Sequence, residues 1–224
     1  MSKTVLITGA SSGIGKATAQ ALVKAGHKVA LTARSDDKLT KLVDELGSDN
    51  AVAFVADATS YTEQQQVVKQ TLEHYGHIDA VFANAGKGVS QAGTENGDPQ
   101  EWDQLIDINI KALLWTAQLT LPHLRSSEGH FILTSSAAGR RPIEGSIYGA
   151  SKWFAYGFGQ NLAEEMKQWG GRCTTICPGV VNTPFFEEDK ADKLQPQDVA
   201  DAVVFAIDAN QRNSVREIYL MPTH

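Results

Sequence analysis

Cysteine is scarce, with only Cys173 and Cys177 in 224 residues. The two lie four apart in a run rich in β-branched residues. In a strand they share one face and stand too far apart for a disulfide. Too few other ligands surround them for a metal site, so they read as two buried small hydrophobes. Long apolar runs are also missing. Nothing approaches the about 20 residues of a membrane span, and the apolar start Thr4-Val5-Leu6-Ile7 is too short for a signal peptide and runs into glycines. The expectation is a cytoplasmic chain with no membrane partner. Positive charge is in deficit, with 20 Lys and Arg against 26 Asp and Glu and a net charge of −6. Binders of a phosphate backbone usually carry a basic face, so nucleic acid is not an expected partner. This balance still leaves room for a local basic pocket for one anion. No repeat, low-complexity tract or linker interrupts the chain, and residues 1–224 are expected to form a single domain.

What is present suits a soluble globular fold. Hydrophobic residues make up 42% of the chain and charged residues 21%. Short apolar runs alternate with longer amphipathic stretches. The pattern predicts strands at residues 5–8, 28–33, 51–56, 78–83, 130–135, 172–177 and 217–220. Helices are expected at 14–25, 36–46, 61–75, 146–169 and 196–209, with one or two more between 99 and 125. Gly26, Gly47 and Gly76 serve as helix stops. The strands are continuous apolar runs, as expected when both faces of a parallel sheet are covered. Alternation of this kind implies right-handed crossovers and a doubly wound α/β fold of about seven strands with helices on both faces.

The first turn carries the strongest local signal, Thr8-Gly9-Ala10-Ser11-Ser12-Gly13-Ile14-Gly15. It follows a strand and opens a helix, the setting of a dinucleotide site. Glycines let the backbone approach a pyrophosphate, and the helix N-terminus offers it free N–H groups and partial positive charge. The second strand ends in Thr32-Ala33-Arg34-Ser35 with no carboxylate. An acid there would hold the adenosine ribose and repel a 2′-phosphate. Arg34 suits that phosphate instead, and Asp36 and Asp37 come slightly late to serve as ribose ligands. NADP(H) is therefore expected over NAD(H).

Tyr148 and Lys152 stand four apart near the start of a long predicted helix, on one face. A phenol titrates near ~10, and a neighbouring cation favours its ionised form, which would make Tyr148 a usable general acid or base. Upstream, a strand ends in Thr134-Ser135-Ser136-Ala137-Ala138-Gly139. Strand C-termini of open α/β sheets are where ligands bind, and a serine there suits a substrate oxygen.

With these motifs in order, the chain resembles the short-chain dehydrogenase/reductase family over nearly its whole length. The turn at 8–15 matches the family's Thr-Gly-x-x-x-Gly-x-Gly. Asn84-Ala85-Gly86 matches its Asn-Ala-Gly, Tyr148 and Lys152 its Tyr-x-x-x-Lys, and Pro178-Gly179 its Pro-Gly after the sixth strand. The resemblance implies a catalytic set of Asn109, Ser136, Tyr148 and Lys152. It implies a cofactor site formed by Gly9, Ser11, Ser12, Gly13, Ile14, Gly15, Arg34, Asp57, Ala58, Asn84, Ala85, Gly86, Tyr148, Lys152, Pro178, Gly179, Val181 and Thr183. In these roles Lys152 binds the nicotinamide ribose and lowers the Tyr148 pKa. Tyr148 protonates the carbonyl oxygen, the serine polarises it, and Asn109 holds a water linking Lys152 to solvent. No metal is expected.

The family's serine stands thirteen residues before the tyrosine, which points to Ser135, but its following x-x-Gly points to Ser136. Ser136 is favoured, with Ser135 as the alternative. The reaction implied is NADP(H)-dependent interconversion of a carbonyl and a secondary alcohol. The alternative is a catalytically silent NADP(H) sensor, although such a sensor is expected to lose the tyrosine or lysine. Phe185 and Phe186 either cap an apolar substrate or pack a loop on the core. Arg140, Arg141 and Glu144 either meet an acidic substrate or remain surface charges. Glu187, Glu188, Asp189, Lys190 and Asp192 read as a solvated face. The helices around 107–125 and 148–168 carry apolar residues on more than one face. The family pairs these helices between subunits, so a homodimer or homotetramer is expected.

Overall fold

Strand β1 (Thr4–Thr8) is buried along its whole length and feeds through the glycine turn into α1 (Gly13–Lys24). In the computed structural model, which describes residues 2–91, 93–186 and 188–223, this unit repeats. It continues as β2 (Lys28–Ala33), α2 (Asp36–Leu46), β3 (Ala51–Val55), α3 (Tyr61–Tyr75) and β4 (Ala80–Ala83). The second half holds α4 (Pro99–Ile106), α5 (Ala112–Ser126), β5 (His130–Thr134), α6 (Ile147–Lys167), β6 (Arg172–Pro178), α7 (Pro196–Asp208) and β7 (Glu217–Leu220). All neighbouring strands run parallel, in the order β3-β2-β1-β4-β5-β6-β7. The order reverses between β1 and β4, and that switch point opens a crevice at the strand C-termini.

Side chains alternate across the sheet and build two cores. Val5, Ile7, Leu31 and Phe82 pack under α1, α2 and α7, together with Leu22, Leu42 and Val203. Leu6, Val81, Phe131 and Leu133 face α3, α5 and α6, together with Val67, Leu124 and Leu162. Cys173 and Cys177 are both buried free thiols, and burial pushes the Cys177 thiol up to about 12.

The differences from the sequence reading lie at element ends. The fourth strand begins at Ala80 rather than residue 78, because the Asp79 carboxylate takes the Thr4 N–H at 2.8 Å that a strand neighbour would otherwise accept. The predicted helical stretch 99–125 divides into α4 and α5, joined by a π-turn at Asp107–Lys111. Such π-turns often mark functional sites. The fifth strand ends at Thr134, one residue early, where the chain turns into a short 3₁₀ segment, Ala137–Gly139, with Ser136 as its cap.

Candidate active site

The crevice is a continuous cleft of about 1780 Å³ running from the glycine turn to the start of α6. At one end Gly9 and Gly13 take positive φ angles of 66° and 52°. Only glycine enters that region at low cost. The Asn84 amide donates to the Gly9 carbonyl at 3.4 Å. Thr8 Oγ1 accepts the N–H groups of Asn84 and Ala85 at 3.0 and 3.1 Å, fixing the end of β4 against the turn. Among the described residues Ser12, the N-cap of α1, makes no side-chain cap hydrogen bond, the first-turn N–H groups of a helix have no intrahelical partner, and Ser12, Gly13 and Ile14 line the cleft. This donor set fits a pyrophosphate.

At the C-terminal ends of β2 and β3, Arg34, Ser35 and Lys38 line the cleft together with Asp57, Ala58 and Thr59. Burial opposes ionisation of Asp57, but two hydrogen bonds from Thr59 at 2.7 and 2.8 Å and the Arg34 charge outweigh it and hold the carboxyl below its ordinary value. Lys38, in the first turn of α2, lines the cleft with Arg34. Sequence reading passed over Lys38, whose signal was its place in the first turn of the helix that follows Arg34. The residues present fit a dinucleotide with an extra phosphate.

At the other end, α6 presents Tyr148 and Lys152 on one face. The buried Lys152 ammonium donates to the Thr134 carbonyl at 3.0 Å and lies 5.7 Å from the Tyr148 ring centre. Burial brings its pKa down to about 8. The Tyr148 pKa is raised by burial, against a hydrogen bond with Ser136 that pulls it down. This direction is opposite to the lowering expected from Lys152. The Lys152 ammonium, held at the Thr134 carbonyl, adds no pull that offsets burial, and desolvation of the phenol dominates.

The two serines diverge. Both border the cleft, but Ser135 is 1% exposed and donates its hydroxyl to the Lys152 carbonyl at 2.8 Å. Ser136 Oγ accepts the Ala138 N–H at 3.1 Å, donates to the Pro178 carbonyl at 3.4 Å and is the hydrogen-bonding group that acts on the phenol. Asn109, on the π-turn, is tied on three sides. Its oxygen accepts the Lys87 N–H at 2.9 Å, and its amide donates to the Lys87 carbonyl and to Ser151 Oγ at 3.0 Å each. It does not line the main cleft. With Thr8, Thr134 and Lys152 it borders a separate void of about 10 Å³, close to the room one water needs. Gly15 also lies off the cleft, behind the turn, where any Cβ would strike the Gly9 carbonyl.

The other expected cofactor residues, Gly9, Ser11, Ser12, Gly13, Ile14, Asn84, Ala85, Gly86, Pro178, Gly179, Val181 and Thr183, all line the cleft. Thr183 sits against Gly13, where a Cβ would meet its methyl at 3.2 Å. Phe185 lies over Tyr148 with ring centres 5.6 Å apart, so it belongs to the site and is not loop packing alone. Arg140 leaves the site and pairs with Glu217 of β7 at 2.7 Å while covering the Tyr156 ring at 4.4 Å. Arg141 remains on the cleft. Lys190 pairs with Glu188 at 2.8 Å, and Glu187 lies outside the described residues.

A parallel sheet with its glycine turn and polar cluster at the switch point defines a nucleotide-binding α/β protein. The family model "short chain dehydrogenase" matches residues 3–194. An uncharacterized oxidoreductase of Staphylococcus epidermidis is 36% identical over 225 residues, covering 98% of this chain and 97% of its own. Among solved structures, an alcohol dehydrogenase of Thermococcus sibiricus complexed with 5-hydroxy-NADP superposes with a TM-score of 0.92. It is 29% identical and covers 100% of this chain and 97% of its own. Serine dehydrogenase of Escherichia coli gives 0.90 at 29% identity, covering 98% and 97%. The chain belongs to the short-chain dehydrogenase family and is an oxidoreductase of that type. Among the described residues, no helix is long and apolar enough to cross a membrane.

Proposed function

We propose that this chain is an NADP(H)-dependent oxidoreductase that interconverts a carbonyl compound and a secondary alcohol. The observation that carries the reading is the convergence of Ser136, Tyr148 and Lys152 on a cleft that begins at a glycine turn with uncapped N–H groups. The Thermococcus alcohol dehydrogenase holds an NADP derivative, and a serine dehydrogenase has been solved with NADP+. Arg34 and Lys38 supply matching charge for the 2′-phosphate here. Thr183, Asn84 and the glycine turn would hold the rest of the dinucleotide, and the bound nicotinamide supplies or accepts the hydride.

The protein's own part is proton transfer and positioning. Ser136 Oγ hydrogen-bonds the substrate oxygen beside Tyr148 Oη and favours charge developing there. Tyr148, its neutral form favoured by a raised pKa, gives its proton to that oxygen in reduction and becomes the phenolate; in oxidation the phenolate accepts the proton of the alcohol. Lys152 stands behind the phenol as a buried cation, held by the Thr134 carbonyl. Asn109 holds the π-turn and the Lys87 backbone in place beside the small void next to Lys152.

NADPH consumption with a panel of ketones, aldehydes and keto acids tests the reading. Tyr148→Phe is expected to lower turnover by about 10²–10⁴-fold and to leave NADPH binding unchanged. Near-normal turnover would refute the acid/base role. Tight NADPH binding with no turnover of any carbonyl by the wild type would make the chain a cofactor sensor instead.

A homodimer or homotetramer through α5 and α6 belongs to the same proposal. Leu114, Trp153 and Phe154 are exposed on these helices, and Phe154 stacks on Phe158 at 6.1 Å. They leave an apolar face that suits a second copy.

A further inference from the structure

We infer that Phe185 makes this site selective for uncharged carbonyl compounds that carry an apolar substituent next to the reacting carbon, and disfavours 2-keto acids and their hydroxy-acid partners. The inference rests on the carbonyl-reductase reading above and deepens it.

Three observations carry it. First, Phe185 is 46% exposed, yet its ring centre lies 5.6 Å from that of Tyr148, at 55°. The two rings are therefore in contact, and Phe185 stands beside the side chain that would meet the substrate oxygen. Second, Gly88 faces the same ring, and a Cβ there would stand 2.8 Å from Phe185 Cζ. The absence of a side chain at position 88 leaves the ring room to lie inward over the phenol. Third, apolar side chains of Val89, Ala137, Ala138 and Ile143 line the same cleft as the phenol.

The cations of the cleft in this part of the chain are committed or solvated, and on the segment after Phe185 Lys190 pairs with Glu188 and Lys193 with Asp192. Lys152 donates to the Thr134 carbonyl, Lys87 donates to Gln104 Oε1 at 2.8 Å, and Arg140 is spent on Glu217. Arg141 lines the cleft but is exposed to water, where an ion pair contributes little. A carboxylate attached directly to the reacting carbon would be pressed against the Phe185 ring without a buried partner, and desolvating an unpaired charge is costly. A methyl, alkyl or aryl group at that position gains by burial against the same ring. The reading therefore separates this chain from a relative named for serine, a charged substrate.

The test compares an aryl 2-keto acid with its methyl ester, two compounds of one skeleton that differ in charge. It uses NADPH as cofactor with wild type, Phe185→Ala, Phe185→Leu and Arg141→Ala. The wild type is expected to prefer the ester in kcat/KM. Phe185→Ala should cut that preference by about tenfold, the equivalent of one lost apolar contact of ~1.4 kcal/mol. Phe185→Leu should keep most of it, because it retains apolar bulk. Arg141→Ala should leave it within about twofold, as a solvated surface charge implies. NADPH affinity, read by fluorescence titration, should stay the same in all four proteins. Preference for the free acid, lost in Arg141→Ala, overturns this inference and leaves the reductase reading standing. An ester preference unchanged in Phe185→Ala also overturns it. No turnover of either compound despite NADPH binding overturns the reductase reading itself, and this inference with it.

Discussion

Arg34 directly follows β2 and Lys38 lies in the first turn of α2, and both line the cleft. The Arg34 charge acts on Asp57. Arg34→Asp removes a charge-assisted phosphate contact of about 1.5–3 kcal/mol and adds repulsion. NADPH should bind about ten- to a hundredfold more weakly, while NADH is little affected. An unchanged ratio of the two affinities in a fluorescence titration would place the 2′-phosphate elsewhere. Arg34 was legible because it directly follows a strand that ends without an acid. Lys38 was not, because a lysine in an exposed helix turn resembles any solvated cation until the fold brings it to the cleft.

The end of β5 shows how an element decides between neighbours. β5 stops at Thr134, and two serines that look equivalent in sequence are separated by the turn into the 3₁₀ segment that Ser136 caps. Ser135 donates to the Lys152 carbonyl, and Ser136 acts on the phenol. Compared in parallel, Ser136→Ala should lower kcat by about 10²–10³-fold with an unchanged melting temperature. Ser135→Ala removes a second, buried hydrogen bond from a carbonyl that keeps its intrahelical donor in α6 and should cost about 0.5–1.5 kcal/mol of stability, with a much smaller loss of kcat. The reverse pattern in steady-state kinetics and thermal melts would exchange their roles. The spacing from Tyr148 and the x-x-Gly context disagreed about this serine, and only backbone direction separates the two. The π-turn at Asp107–Lys111 was likewise invisible, since its residues continue the helical pattern on both sides. It turns the Asn109 carboxamide onto Lys87 and Ser151 rather than into the open cleft.

Across the whole molecule, the chemistry gathers at the C-terminal edge of the sheet, and a buried basic group sits at the opposite edge. His130 is 2% exposed, its Nε2 lies 2.7 Å from Thr174 Oγ1, and its Nδ1 has no partner among the described residues. Arg172 is bonded to the Ala209 carbonyl at 3.0 Å, and Lys3 is bonded to the Ile207 carbonyl. Both stand near His130 and, after desolvation, add to holding its pKa well below the ordinary 6.5. The unfolded chain therefore binds this proton at a higher pH than the folded one. The stability contribution of His130 is complete above pH 6.5 and is lost as pH falls toward the lower folded value. Urea midpoints should drop from pH 7 to 5 more steeply in the wild type than in His130→Gln, and parallel slopes would remove His130 from the account.

The amino-acid sequence by itself determined the alternation of strands and helices, the glycine turn, the Tyr148–Lys152 spacing and the absence of an acid after β2. Each of these is a local pattern whose physics acts within a few residues. Tertiary structure decided which serine meets the phenol, where Asn109 spends its amide, that Arg140 leaves the cleft for Glu217 and that Phe185 roofs Tyr148. Those choices join segments that are remote in sequence, and no local periodicity carries them. They follow from strand order, which brings the ends of β1, β4, β5 and β6 around one crevice and sets the loops beyond them face to face.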